Sequence, residues 1–229
     1  MKKFIVLIFA QFALIAIVTG QSFDSIKKQA GKGVPSAEFN LAKKYFESLD
    51  ITKAFFWFQK SAKQGDSKAQ IMLAYMYKNG YGTSKDLKKA FYWDEKSAEQ
   101  GNAGAQYFVA KDYYYGNGTP KDYNKAFYWY KKSSEQGEAQ AQIMLAYMYM
   151  NGYGTSKDLK KAFYWEEKSA EQDNAGAQYN LAGMYYYGTG TTTNKKKAAY
   201  WMRKAYKNGF EQAKAMWDKL ELWKYEVKN

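Results

Sequence analysis

The chain has 229 residues, and its 35 Lys and Arg against 22 Asp and Glu give a formal net charge of +13 at pH 7. It contains neither Cys nor His, which excludes a disulfide framework and removes the usual ligands of zinc, copper and iron. Because His is also the commonest general base, much of enzyme chemistry is excluded with it. The composition therefore argues against a zinc, copper or iron site, and we predict neither a metal nor a cofactor.

Residues 1–20 have the pattern of a secretory signal. Lys2 and Lys3 supply a basic start, an uncharged stretch of 15 residues follows, and the small Gly20 suits a cleavage point. This stretch is shorter than the roughly 20 residues that a membrane-spanning helix needs, which favours a cleaved signal over an anchor. The pattern predicts an exported protein, periplasmic or secreted, with no stable membrane span after signal removal.

Removal of this signal would leave 33 basic and 22 acidic residues, a net charge of +11, with Arg203 as the only arginine. A basic surface favours anionic partners, but Lys without Arg suits diffuse attraction better than bidentate recognition of phosphates or bases. No aromatic-basic motif for nucleic acid is present. The charge thus favours envelope glycans, lipid head groups or acidic proteins over nucleic acid.

A tryptophan recurs every 36 residues, at Trp57, Trp93, Trp129, Trp165 and Trp201. Alanines and glycines keep the same interval. Such self-similarity indicates one supersecondary unit that was copied several times. Because the tryptophans stay in phase with recurring alanines, they are predicted to pack between helices rather than to form a ladder for a ligand.

A longer copy lies within this array, because residues 69–107 and 141–179 are nearly identical. The two segments differ only at Lys78/Met150, Asp94/Glu166 and Gly101/Asp173. Recent duplication with little time to diverge would explain the identity. The alternative is that two identical surfaces bind a repetitive ligand.

Each repeat predicts two helices joined by a turn. In the second repeat, helix A spans residues 69–78 with its apolar side chains at helical spacing, and two glycines at 79–82 end it. Helix B spans residues 87–100. Its N-caps are side chains whose oxygens accept from free backbone N–H groups. The predicted caps are Asp50, Asp86, Asp122, Asp158 and Asn194.

The repeat carries small residues, aromatic residues and glycines at fixed positions. In the second repeat they are Ala69, Leu73, Ala74, Tyr77, Gly80, Gly82, Asp86, Lys89, Ala90, Trp93, Lys96, Ser97, Ala98 and Gly101. With these residues the chain resembles the Sel-one-like repeat family, relatives of tetratricopeptide repeats. The resemblance implies an all-α fold, a right-handed superhelical α-solenoid of helix-turn-helix repeats, in which stacking buries the faces that one pair leaves open.

The motif divides the chain into five repeats, at about 37–68, 69–104, 105–140, 141–176 and 177–212. The first repeat is four residues shorter than the others and lacks the glycine turn. Residues 21–36, which contain Gly31, Gly33 and Pro35, are predicted to form a loose linker. Residues 213–229 are predicted to form a C-terminal capping helix.

The resemblance also implies a concave groove, lined by helix A residues that packing leaves free. These predicted binding residues are Phe39, Ile71, Tyr75, Tyr107, Lys111, Ile143, Tyr147, Tyr179 and Tyr186, with Lys43, Phe46, Lys78, Tyr114, Met150 and Gly183 at the remaining inward positions. Tyr is favoured at interfaces because it brings a large area and a hydroxyl at small entropic cost. The alternative is that some of these residues only pack against neighbouring repeats.

No catalytic constellation is found. An S-x-x-K sequence at residues 25–28 lacks the companion motifs of the penicillin-recognising enzymes. Exported, cysteine-rich members of the family have been called penicillin-binding or β-lactamase-like, and this chain lacks their cysteines. Glu166 and Glu167, beside Lys168, are predicted to be ordinary exposed charges of helix B.

Three functional hypotheses follow. The leading one is an exported, non-enzymatic scaffold or adaptor that binds a protein or an extended peptide through the concave aromatic groove. The second is binding of an anionic cell-envelope glycan or peptidoglycan, favoured by the charge and the duplication. The third is a β-lactamase-like hydrolase.

Overall fold

Twelve α-helices and one 3₁₀-helix follow one another, without a strand, in the computed structural model, which describes residues 22–225. The helices are α1 Phe23–Gly31, α2 Pro35–Glu47, α3 Ile51–Lys63, α4 Ser67–Asn79, α5 Leu87–Glu99, α6 Ala103–Tyr115, α7 Tyr123–Glu135, α8 Ala139–Asn151, α9 Leu159–Glu171, α10 Ala175–Tyr187, α11 Lys195–Lys207 and α12 Gln212–Lys219, and the 3₁₀-helix is Leu222–Tyr225. Each helix packs against the helices before and after it, so the predicted all-α solenoid is confirmed. The predicted signal lies outside the described residues.

Ten of these helices form the five repeats, and each of the ten has 13 residues. We call the first helix of each pair helix A (α2, α4, α6, α8 and α10) and the second helix B (α3, α5, α7, α9 and α11). Small residues let the helices approach closely. In repeat four, Ala141 and Ala146 of α8 and Ala162 and Ala170 of α9 are fully buried. Apolar faces therefore meet within a pair and between pairs, as stacking requires.

The helix B N-caps predicted from the sequence are confirmed in all five repeats. The side chain of Asp158, for example, accepts a hydrogen bond from the backbone N–H of Lys161 at 3.0 Å. Helix A begins two residues earlier than predicted. In repeat two it starts at Ser67, because the side chain of Asp66 caps it as well.

The turn between helix A and helix B contains two glycines with different roles. In repeat four, Gly152 ends α8 with a φ of 74°, a left-handed conformation that favours glycine. Gly154 lies directly against the carbonyl oxygen of Tyr123, at the start of helix B of the preceding repeat. Because a Cβ at Gly154 would overlap that oxygen, the second glycine permits the contact between successive repeats.

Polar side chains also join neighbouring repeats. Gln142 of α8 donates to the carbonyl oxygen of Ser134 in α7 at 3.2 Å and accepts from Gln172, at the end of α9, at 2.8 Å. Ser169 of α9 donates to the carbonyl oxygen of Ala139 at 3.0 Å. The same bonds recur in repeats two and three. The serine that replaces one alanine of the family motif therefore ties helix B to the start of helix A.

The segment predicted to be a loose linker, residues 21–36, differs from that prediction in the structure. Helix α1 occupies much of it, with Ser22 as a side-chain N-cap. Ile26 and Ala30 are buried and pack against buried residues of α2. Helix α1 therefore covers the apolar face of repeat one. The glycines of the segment lie where α1 ends and before α2 begins.

The C-terminal segment is also more divided than predicted. Helix α12 has eight residues and ends at Lys219, and Glu221 then takes a left-handed φ of 49°, which stops the helix. The 3₁₀-helix follows, and its Leu222 is fully buried in the core of repeat five. Short helices thus cover both described ends of the array.

Candidate functional site

A cavity of about 440 Å³ lies beside repeats four and five. Helices α8 and α10 supply most of its wall, and α9, α11 and α12 supply most of the rest. Three of the predicted binding residues line it: Ile143, Tyr147 and Tyr179. The structure therefore brings together helix A residues of two successive repeats and the terminal helix.

The other six predicted binding residues lie outside this cavity and are half-buried: Phe39, Ile71, Tyr75, Tyr107, Lys111 and Tyr186. Several of them pack against rings of the same chain. The ring centroids of Phe39 and Phe58 are 5.7 Å apart, and those of Tyr75 and Tyr81 are also 5.7 Å apart. Tyr107 lies 5.9 Å from the buried Tyr130. The structure spreads these six residues along the array instead of gathering them.

A cluster of tyrosines joins repeat three to repeat four next to the cavity. Tyr147 is 42% exposed, hydrogen-bonds to Tyr114 and lies 5.9 Å from Tyr153 between ring centroids. Tyr153 in turn stacks on Tyr123 at 4.9 Å. Burial and the hydrogen bond with Tyr147 raise the pKa of Tyr114. Lys121 Nζ lies over the Tyr123 ring, 4.4 Å from its centroid, so the cluster is an aromatic surface with a lysine beside it.

Glu166 lines the cavity, and only 2% of its surface is exposed. The prediction that it is an ordinary exposed charge is therefore wrong. The 36-residue period shows why, because the same helix B position faces the core in every repeat. Its occupants elsewhere are the fully buried Phe58, Asp94 (4% exposed), Tyr130 and Met202. The charges of a single helix suggest exposure, and only the comparison of residues 36 positions apart indicates that this position is buried. The neighbouring Glu167 is half-buried.

The carboxyl group of Glu166 is only partly satisfied by the described residues. Its Oε1 accepts a hydrogen bond from Asn180 Nδ2 at 3.1 Å, whereas Oε2 has no partner among residues 22–225. Burial raises the pKa of Glu166 to about 8, and the bond from Asn180 opposes this. The group is therefore mostly protonated at pH 7, and one buried polar atom of the cavity wall lacks the partner that buried polar atoms normally have.

The corresponding place in the first copy (residues 69–107) combines Lys78 and Asp94 with Asp112, which follows the copy in repeat three. Lys78 Nζ lies 3.0 Å from Asp112 Oδ1, and the Asp112 side chain is 2% exposed. Burial and the nearby Asp112 raise the pKa of Asp94 well above its usual range, while Lys78 lowers it. Burial likewise raises the pKa of Asp112 against the effect of Lys78. The lysine thus offsets part of the cost of two buried acids.

The second copy keeps the acid but not the lysine. Met150 and Met184 occupy the positions of Lys78 and Asp112 two repeats further along the chain, and both line the cavity with Glu166. No Lys or Arg is found among the described residues of the cavity wall. Glu166 therefore faces a mostly apolar wall, and none of the described residues that line it is a cation.

A second periodic surface lies on the exposed side of helices B, and the sequence analysis did not identify it. One aromatic ring per repeat is about half exposed, namely Phe56, Tyr92, Tyr128, Tyr164 and Tyr200. Each ring packs edge-on against the neighbouring tryptophan, and a lysine lies over one of the two rings. The tryptophans themselves are half-buried against the core clusters, as predicted.

The repeated pair of 13-residue helices, covered by shorter helices at both described ends, defines an α-solenoid of helical hairpins. The family follows from comparison with protein-family models. The Sel1 repeat model matches residues 35–66, 67–102, 103–138, 139–174 and 175–210. The chain therefore belongs to the Sel1 repeat family, and each match begins two residues before the repeat boundary predicted from the sequence.

Two solved bacterial structures are similar to most of this chain. A Sel1 repeat protein from Oxalobacter formigenes is 32% identical with a TM-score of 0.77, over 87% of this chain and 59% of that one. The protein c5321 of uropathogenic Escherichia coli, a protective antigen with an SLR fold, is 26% identical with a TM-score of 0.70, over 85% and 50%. The chain thus spans between half and three fifths of these relatives.

A search of curated proteins found no match. YrrB, a TPR protein with an unusual peptide-binding site, shares the fold at 18% identity and a TM-score of 0.54, over 86% of this chain and 99% of that one. None of the helices between residues 22 and 225 has the length and apolar character that crossing a membrane requires. The chain is a repeat scaffold of a kind typical of protein–protein interaction.

Proposed function

We propose that this chain is an exported, non-enzymatic scaffold that holds another protein, through one of its extended segments, against the helix A side of repeats four and five. The observation that carries the proposal is the cavity of about 440 Å³ beside the exposed ring of Tyr147. Ligand sites are typically concave, roughly 300–1,000 Å³ in volume and mostly apolar, with a few polar groups. Family membership supports a scaffold, because Sel1 repeat proteins are generally non-catalytic.

The side chains of this surface suit recognition of a protein segment. Tyr147 and Tyr187 line the cavity and are 42% and 66% exposed. Tyrosine offers a large, rigid contact area together with a hydroxyl. The methionines of the wall are flexible and adapt to the shape of a partner. A partner side chain in the cavity, surrounded by contacts to the tyrosines, would have the central anchor that tight interfaces need.

The duplication supplies a matched control for a capture experiment. Tyr75 and Tyr147 occupy the same position in the two copies and have the same neighbours in sequence over several residues. A photo-crosslinking residue at position 147 should capture one discrete protein in the native cells, whereas the same residue at position 75 should capture it weakly. The captured protein, once purified, should bind the wild-type chain. It should bind the double variant that carries Tyr147→Ala and Tyr179→Ala more weakly. Equal capture at both positions, or unchanged affinity, would contradict the placement.

Export is part of the proposal and rests on the pattern of residues 1–20. Cell fractionation, with N-terminal sequencing of the mature chain, tests it. A chain that begins at Gln21 outside the cytoplasm would support export. An uncleaved chain retained in the cytoplasm would contradict it.

The exposed surface of helices B favours a second candidate, binding of an anionic cell-envelope glycan. Sugars can stack on rings such as Tyr128 and Tyr164, and the lysines beside these rings would attract negative charge. This candidate predicts binding that weakens strongly with added salt and with Tyr128→Ser and Tyr164→Ser. Binding that depends on Tyr147 and Tyr179, and hardly on salt, would instead support the scaffold.

A further inference from the structure

We propose that the cavity beside repeats four and five receives the side-chain ammonium group of a lysine of the partner protein, with the Glu166 carboxylate as its acceptor. The proposal rests on the proposed function and adds the chemistry of the group that is bound. It is carried by three observations: a buried carboxyl oxygen without a partner among the described residues, an apolar wall, and a lysine that the chain itself places in the equivalent site of the first copy.

The carboxyl group is not required by the packing of helix B. Phe58 and Met202 occupy the same position in two other repeats and are fully buried there. The fold therefore accepts an apolar side chain at this place, and burying an acid instead costs free energy. Glu166 Oε2 has no hydrogen-bond partner among the described residues, although the group lines a cavity. A ligand with a hydrogen-bond donor would satisfy this oxygen.

The first copy shows which donor suits such an acid in this fold. Lys78 Nζ bonds to Asp112 Oδ1 at 3.0 Å and lies close enough to Asp94 to lower its pKa. In the second copy Met150 replaces that lysine, and none of the described residues lining the cavity around Glu166 is a cation. An ammonium group from outside would give Glu166 the nearby positive charge that Lys78 gives Asp94. One cation and one carboxylate would then leave the buried site neutral, which a buried charge requires.

The wall suits the aliphatic stem of a lysine. Five methionines line the cavity: Met144, Met150, Met184, Met202 and Met216. They offer apolar, adaptable contacts to four methylene groups. Gly183 occupies in repeat five the position that Lys111 occupies in repeat three, so a positive side chain that would repel the ligand is absent from this position. The rings of Tyr147 and Tyr179 can add cation–π attraction.

The titratable groups that face the cavity can be named for each helix that lines it. Helix α8 contributes Tyr147, α9 contributes Glu166, and α10 contributes Tyr179 and Tyr187. Helices α11 and α12 contribute only apolar residues to the described wall. Because burial raises the pKa of Glu166 to about 8, binding of an ammonium group at pH 7 would release a proton, whereas binding at pH 8.5 would release little.

Nuclear magnetic resonance of methionine methyl groups tests the proposal at pH 8.5, with n-hexylamine as the probe and 1-hexanol as its neutral counterpart. Hexylamine should shift the five methyl resonances of the cavity wall and leave those of Met72 and Met76 in the first copy unchanged. Glu166→Gln should weaken hexylamine binding about 10-fold or more, as loss of a charged hydrogen bond predicts, and leave hexanol unchanged. Asp94→Asn, the matched control, should change neither.

Met150→Lys adds a second arm, because it gives the second copy the lysine of the first. It should abolish hexylamine binding. A blocked Ala-Lys-Ala peptide should bind as hexylamine does, and its norleucine counterpart should not. Equal binding of amine and alcohol, insensitivity to Glu166→Gln, or binding of hexylamine but not of the lysine peptide would overturn the proposal. These outcomes do not depend on partner capture, so they are distinguishable from a failure of the scaffold function.

Discussion

The two copies of the duplicated segment, residues 69–107 and 141–179, share all but three residues and yet create different surroundings for a buried acid. In the first copy, Asp94 lies near Asp112 and Lys78, which form an ion pair at 3.0 Å. In the second, Glu166 lines an apolar cavity, and one of its oxygens has no partner among residues 22–225. The same helix pair thus holds a closed polar network in one place and an open acceptor in the other.

The substitutions between the two copies match the residues that each copy contacts in the next repeat. Lys78 pairs with Asp112 of repeat three, whereas Met150 shares a wall with Met184 of repeat five. Asp173 pairs with Lys204 of repeat five at 2.8 Å. A solenoid repeat contacts only its neighbours, so its few changes are set by them. The copies therefore present different surfaces here, which argues against two identical sites for a repetitive ligand.

The largest expected difference is the pH dependence of stability. The pKa of Glu166 is about 8 in the folded chain and lower in the unfolded chain, so the folded state holds the proton more tightly. The contribution of protonated Glu166 to stability is therefore fully present at low pH and is lost as the pH rises toward 8. Glu166→Gln removes this loss. The free energy of unfolding of the variant should therefore increase relative to that of wild type by roughly 1.4 kcal/mol per pH unit between about pH 5 and pH 8. Urea unfolding of both proteins at several pH values measures this difference in stability. A difference that does not vary with pH would contradict the raised pKa of Glu166.

The next effect concerns the turn that both copies share. Gly154→Ala should destabilise the chain by roughly 3 kcal/mol for two reasons. The new Cβ would overlap the carbonyl oxygen of Tyr123, and residue 154 has a left-handed φ that alanine disfavours. Gly82→Ala, where the corresponding Cβ would lie 2.8 Å from the carbonyl oxygen of Ile51, should cost less. Chemical denaturation compares the two variants. Losses below about 1 kcal/mol at both positions would show that stacking does not need these glycines.

A smaller effect should follow from transferring the methionine pair into the first copy. Lys78→Met should destabilise the chain by roughly 2 kcal/mol, because it leaves buried acids without their cation. Adding Asp112→Met creates the combination found at Met150 and Met184, and it should restore most of the loss. A double-mutant cycle measures the coupling between the two sites. Additive effects would contradict the idea that each copy is matched to its neighbour.

The smallest effect is expected at the third substitution. Asp173 has a left-handed φ of 62° where the first copy has Gly101, and its ion pair with Lys204 is exposed. Asp173→Gly relieves the strain and removes a weak ion pair, so the midpoint of thermal unfolding should move by no more than about 2 °C. Asp173→Ala, which keeps the Cβ and loses the ion pair, should have a lower midpoint than Asp173→Gly. A glycine variant that unfolds more than about 2 °C below wild type would show that the ion pair outweighs the strain.

The sequence predicts the architecture well because its signals are local and repeated. The 36-residue period indicates the solenoid, and the side chains at Asp86 and Asp158 mark where helices B begin. The same local reasoning fails at Glu166, where charges on one helix suggested exposure. Comparison with Tyr130 and Met202, each 36 residues away, would have indicated burial.

The cavity and the N-terminal cover depend on contacts between distant parts of the chain. Met144 and Leu220 line the same cavity although they are far apart in sequence, and whether space remains between them depends on the side chains of five helices. Helix α1 was missed because Gly31, Gly33 and Pro35 resemble a linker. Burial of Ile26 and Ala30 against repeat one outweighs that local tendency.

The most direct test of the account is a titration of the Glu166 carboxyl carbon by nuclear magnetic resonance, in wild type and in Met150→Lys. The account predicts a pKa near 8 in wild type, raised by burial without a cation, and a clearly lower pKa when a lysine stands at position 150, as in the first copy. A carboxyl group that titrates in the ordinary range of glutamate in wild type, or that does not respond to Met150→Lys, would contradict the claim that the two copies differ through a missing cation.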